Sequence, residues 1–126
     1  MKGLTPNLMV ENVQTTISFY KEIFGFEVLM TAPEKGIPFW ALLKNNNVTI
    51  MLQQRKSFET EYSQMTGKPL GGTLHFFTKI EKLDDFYNKI KDKVKVIKTP
   101  HITTYKMKEF SVEDCNGYLF VFAQEL

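Results

Sequence analysis

Apolar and polar positions alternate in LTPNLMV (residues 4–10): Leu4, Pro6, Leu8 and Val10 stand against Thr5, Asn7 and Met9, the period of a strand. The period then changes. Asn12 stands where a helix N-cap belongs, and Val13, Ile17, Tyr20 and Phe24 recur at helical spacing on one apolar face. Gly25 marks a helix end, FEVLM (26–30) resumes as strand, and APEKGIP (32–38) is loop by its Pro and Gly content. FWALLK (39–44), the turn NNN (45–47) and VTIMLQ (48–53) predict a hairpin.

The second half repeats that order. GTLHFFTKI (72–80) reads as strand, and Leu83, Phe86, Tyr87 and Ile90 give a helix face. KVKVIK (93–98) reads as strand, and TYKMKEFSVE (104–113), the turn DCNG (114–117) and YLFVFA (118–123) predict a second hairpin. Phe19–Tyr20 and Phe86–Tyr87 take matching places, as do Asn47 and Gly117 at the hairpin turns. The expected organisation is one domain over 1–126, built of two βαβββ modules at about 1–56 and 71–126. The polar, Gly-bearing stretch between them predicts a connecting loop or lid at about 57–70, whose Arg55 flank is available to an anionic group. Each module would carry an apolar sheet face that it cannot bury alone.

Composition narrows the function classes. Lys and Arg exceed Asp and Glu by only two (16 against 14), which gives no electrostatic footprint for nucleic acid. The lysines of KIKDKVKVIK (89–98) interleave with apolar positions, as on a solvated helix end and strand face. Cys115 is alone, so no intrachain disulfide forms and a reducing, cytoplasmic setting is expected. The opening MKGLTPNLMV has no long apolar run, so neither a signal peptide nor membrane attachment is expected.

LTPNLMVENVQTTISFYKEIFGFEV, followed at the far end by FSVEDCNGYLFVFAQ, resembles the vicinal oxygen chelate superfamily, which includes glyoxalase I, extradiol dioxygenases, fosfomycin-resistance enzymes and bleomycin-resistance proteins. The resemblance implies an α+β fold in which two βαβββ modules form an open barrel-like cup, commonly within a homodimer. Enzymes of that group hold a divalent cation with His, Glu or Gln at four places, two per module. One place lies eight residues before the apolar residue that opens the helix. The other lies four residues after the hairpin-turn Gly or its equivalent. Carried onto this chain, these places fall on Thr5 (from Val13), Met51 (from Asn47), Gly72 or Thr73 (from Ile80) and Val121 (from Gly117). None is a ligand for a hard cation, so a metal-free protein with no cofactor and no catalytic residue assigned is expected. His75 reaches the cup only if the strand register shifts by two or three, and then as a polar contact to a ligand. His101, next to Pro100, reads as an exposed loop residue.

The chain is rich in aromatics, with 11 Phe, 5 Tyr and 1 Trp. Trp40 and Phe110 lie seven residues before Asn47 and Gly117, and so are expected to occupy equivalent places in the two modules. Phe77, Tyr105, Phe120 and Phe122 are further candidates for an aromatic pocket wall, with Met51 and His75 beside them. Plain core packing is the alternative for each. The expected function is therefore sequestration of a small hydrophobic or aromatic ligand by a metal-free, bleomycin-resistance-like homodimer. The alternatives are a glyoxalase-like lyase or dioxygenase, in which Tyr105, Glu109 or His75 act, and a non-catalytic interaction module.

Overall fold

A computed structural model describes residues 1–126, which fall into two compact units, 1–70 and 71–126. The first unit starts with strand β1 (Asn7–Val10) and helix α1 (Val13–Glu22), followed by strands β2 (Glu27–Ala32), β3 (Trp40–Asn45) and β4 (Val48–Gln54). Its sheet has the order β1-β4-β3-β2, with β1 parallel to β4 and the remaining pairs antiparallel. The helix begins where the sequence predicts. Asn12 is extended, and its side-chain oxygen accepts from the Thr15 amide at 2.8 Å, which satisfies one of the amides that a helix start leaves orphaned. Val13, Ile17, Tyr20 and Phe24 are all buried. They cover the sheet face made by Leu8, Val10, Ala41, Leu43, Ile50 and Leu52, which strand register places on one side. Asn45 ties the hairpin end to the helix end by donating to the Phe24 carbonyl at 3.0 Å.

The second unit repeats the scheme with strand β5 (His75–Lys79), helix α3 (Leu83–Ile90), and strands β6 (Lys95–Ile102), β7 (Met107–Glu113) and β8 (Leu119–Glu125). Its order, β5-β8-β7-β6, is that of the first sheet, again with the outer pair β5–β8 parallel. Neither sheet closes into a barrel. Its core is aromatic: Phe86 and Tyr87 of α3 meet Phe110 at centroid separations of 6.0 and 5.1 Å, and Phe110 stacks on Phe122 at 5.2 Å. Asp114 shapes the β7–β8 loop, its Oδ1 accepting from the amides of Asn116 and Tyr118, each at 2.8 Å.

Two expectations about the backbone need correction. The stretch following β4 is not a plain loop, because Arg55–Glu61 form helix α2 and Ser63–Met65 a 3-10 turn. The local cause is Gln54, whose side chain accepts from the Ser57 amide at 3.2 Å as an N-cap, together with burial of Phe58. His101 is not in a loop but near the end of β6, partly buried, with Nδ1 at 2.8 Å from the Thr99 carbonyl.

Candidate functional site

Each sheet has a face turned away from its α1 or α3 helix, here called the far face, and this is where candidate residues are sorted. In the first unit, pairing of Asn7 with Met51, Met51 with Leu42, Leu42 with Met30, and Gln53 with Trp40 puts these side chains together on the far face. Trp40, Leu42 and Met51 are partly exposed, and Met30 is 57% exposed. A sheet side without a helix over it is ordinarily polar, so an apolar row of this kind is a feature to be explained.

A polar chain borders that row. Asn7 Nδ2 donates to Gln53 Oε1 at 2.8 Å, and Gln53 Nε2 donates to the Ser57 hydroxyl of α2 at 3.0 Å. Gln53 is buried, and Asn7 Oδ1 is buried without any hydrogen-bond partner. Arg55, expected to be free for an anion, is instead engaged by Glu11 at 2.6 Å and the Lys68 carbonyl at 3.0 Å, with Glu59 at 4.0 Å. It clamps α2 and the following turn onto β1. A wide, shallow depression of about 640 Å³, lined by Glu27, Leu29, Lys44, Asn46 and Asn47, lies at the hairpin end of this unit and contains none of the expected aromatic wall.

In the second unit the far face carries His75, Phe77, Glu109, Ser111 and Val121. His75 is exposed and Phe77 is 46% exposed, whereas Glu109 and Ser111 are each only 5% exposed. Tyr105 does not lie on a strand. It sits in the β6–β7 turn, 61% exposed, and its hydroxyl donates to Glu109 Oε2 at 2.5 Å. That contact, followed by local loss of water and the charge of the carboxylate, raises the phenol above its ordinary pKa.

Phe110, Phe120 and Phe122 are corrected by the structure: all three point to the helix side and are core, at 0%, 5% and 5% exposure. The supposed equivalence of Trp40 and Phe110 fails on hairpin register. Asn45 and Val48 close a turn of Asn46 and Asn47, whereas Glu113 and Leu119 close a longer loop through 114–118. Trp40 therefore pairs with Gln53, six residues past Asn47, but Phe110 pairs with Phe122, five past Gly117. A shift of one residue exchanges the two faces of a strand.

The second correction concerns the family's cation places. Helix α3 opens at Leu83, not Ile80, and eight residues before Leu83 stands His75, the offset that separates Thr5 from Val13. Pairing agrees: Asn7 opposes Met51 in one unit and Phe77 opposes Val121 in the other, each two residues after the place in question. His75 therefore replaces Gly72 or Thr73. The places hold a hydroxyl and a thioether in the first unit, an imidazole and an isopropyl group in the second. Thr5 is already engaged with the Thr49 hydroxyl at 3.1 Å. Nowhere do three His, Cys, Asp or Glu side chains gather as a metal cluster. A single imidazole without a carboxylate does not fit the divalent cation that the fold family implies.

Comparison with known proteins agrees with the repeated topology. TioX from Micromonospora sp. ML1 superposes with a TM-score of 0.76 at 16% identity, over 98% of this chain and 99% of that one. A superfamily member from Sphaerobacter thermophilus gives a TM-score of 0.80 at 15% identity, over 99% and 98%. A family enzyme from Burkholderia phytofirmans gives 0.79 at 17% identity, over 95% of each chain. At these identities the likeness is one of fold. No curated protein sequence matches significantly. No helix is long and apolar enough to cross a membrane. The family model for Glyoxalase/Bleomycin resistance protein/Dioxygenase superfamily matches residues 4–122, nearly the whole repeat described above, and the chain belongs to that superfamily.

Proposed function

We propose that this chain is a small-molecule-binding member of its superfamily that takes an aromatic or amphipathic compound on the far face of the first sheet, without a resident cation. The observation that carries this reading is the apolar row of Trp40, Leu42 and Met51 on a sheet side that no long helix covers. An indole offers a flat stacking surface, thioethers adapt to irregular shapes, and the neighbouring Asn7–Gln53 amides supply the few directed polar groups that such sites use. Sequestration needs affinity alone, so the side chains at the cation places are no handicap to it. The competing reading, a glyoxalase-type lyase or a dioxygenase, needs charge stabilisation that one imidazole does not provide. A homodimer fits the exposed apolar residues on the outermost strands, Leu29 and Met30 on β2 and Ile97 and Ile102 on β6.

The test is titration with an aromatic fluorophore, 8-anilinonaphthalene-1-sulfonate, followed by its own emission. Saturable binding is expected, weakened at least about tenfold by Trp40→Ala (1.4 kcal/mol) and little changed by Phe110→Leu. Binding that ignores Trp40→Ala overturns the assignment. For the competing enzyme, stoichiometric zinc, nickel, manganese or iron in purified protein, with turnover in a glyoxalase assay, would replace this reading.

A further inference from the structure

One polar atom of the first unit has no counterpart elsewhere in the chain. Asn7 Oδ1 is the single buried side-chain oxygen or nitrogen without a hydrogen-bond partner. Folded chains ordinarily satisfy such atoms, because leaving one unmade costs more than a typical made bond contributes. The other end of the amide is occupied. Nδ2 donates to Gln53 Oε1 at 2.8 Å, and Gln53 Nε2 donates in turn to the Ser57 hydroxyl at 3.0 Å. Turning both amides over would only leave the Asn7 NH2 group unpaired instead. Nor does a strand call for asparagine, a residue that strands disfavour. The Asn7 side chain as a whole is partly exposed, and register sets it opposite Met51 on the far face, with Leu42 and Met30 beyond. Met51 is partly exposed too, and its flexible thioether is the neighbour able to shift and open Oδ1 to that face. No ionised side chain stands among Asn7, Met30, Trp40, Leu42, Met51 and Gln53. An ammonium would lack a countercharge there, so the donor that suits Oδ1 is neutral.

We propose that Asn7 Oδ1 selects the ligand of the far face, a flat aromatic compound with a neutral N–H or O–H donor at its rim, of the indole or phenol type. The donor meets Oδ1 while the ring lies over Met51 and Leu42 towards Trp40. This rests on the far-face reading above and adds the group that distinguishes one aromatic compound from another. A site with an acceptor in waiting rejects an isostere that lacks the donor, because the acceptor then stays unpaired.

Titration of the isotope-labelled full chain with indole and with benzofuran, followed by amide and indole resonances in nuclear magnetic resonance, tests it. The two compounds share a shape, but only indole carries an N–H donor. Indole is expected to bind at least about tenfold tighter, a ratio that corresponds to 1.4 kcal/mol. Asn7→Leu, which removes the acceptor at similar volume, is expected to bring the two within about twofold of each other. Equal affinity for the unaltered protein, or a preference for benzofuran, overturns the proposal with no variant needed. Where Trp40→Ala weakens both compounds, that result leaves the far-face reading standing. A preference for indole that survives in folded Asn7→Leu protein also overturns the proposal. Binding of neither compound, or binding that ignores Trp40→Ala, removes the far-face reading and this inference with it.

Discussion

Tyr105 and Glu109 stand four residues apart at the β6–β7 turn, and the carboxylate acts on the phenol first as a hydrogen-bond acceptor. A phenol whose pKa is raised on folding contributes stability that is fully present below its ordinary value near 10, and that contribution is lost as pH climbs through the folded-state value. Ultraviolet titration is therefore expected to show one of the 5 tyrosines ionising later than an ordinary phenol, and Glu109→Gln to return it to the ordinary range. A late component that persists in the variant belongs to another tyrosine. Asn12 allows a second residue-scale check. Replacing it with Ala removes the acceptor of the Thr15 amide and is expected to lower stability by about 1 kcal/mol in chemical denaturation.

Hairpin loops decide which aromatic faces which way. The longer 114–118 loop turns Phe110 into the α3-facing core, whereas the Asn46–Asn47 turn leaves Trp40 on the far face of its sheet. Phe110→Ala is expected to cost about 3–5 kcal/mol, because it empties a fully buried position among Phe86, Tyr87 and Phe122. Trp40→Ala, at a half-buried position, is expected to cost no more than about 2 kcal/mol. Equal losses in urea melts would place both rings in cores. Gly71, at φ +92°, leads into β5, and a methyl group there would sit 2.6 Å from the Gly117 carbonyl oxygen in the β7–β8 loop. Gly71→Ala is therefore expected to destabilise by more than about 1 kcal/mol, through both backbone strain and the clash.

At the scale of the whole molecule, one topology is used twice with different chemistry on the two far faces: sulfur, indole and amide in the first unit, carboxylate, phenol and imidazole in the second. Neither set resembles a cage for a divalent ion. On the proposed cation-free reading, chelation of purified protein with EDTA is expected to leave its thermal midpoint unchanged; a fall of several degrees would mean a structural cation. Sedimentation at micromolar concentration is expected to give a dimer, and a monomer there would leave the apolar residues of β2 and β6 exposed to water.

Period and punctuation in the chain were enough to determine the two βαβββ halves, the Asn12 cap and the buried stripe from Val13 to Phe24, because these depend on neighbours within a few residues. The assignment of Thr5, Met51 and Val121 to the cation places rests on the same short range, each being a short count from a recognisable turn or helix start. The helix face read from Leu83 already set His75 eight residues before the helix, which the count from Ile80 passed over; tertiary structure alone decided that Phe110 and Phe122 turn inward. It also revealed Glu109 as a buried carboxylate with a phenol for its partner. Alternation is blind to which side of a strand meets the helix, and one residue of loop length reverses the answer.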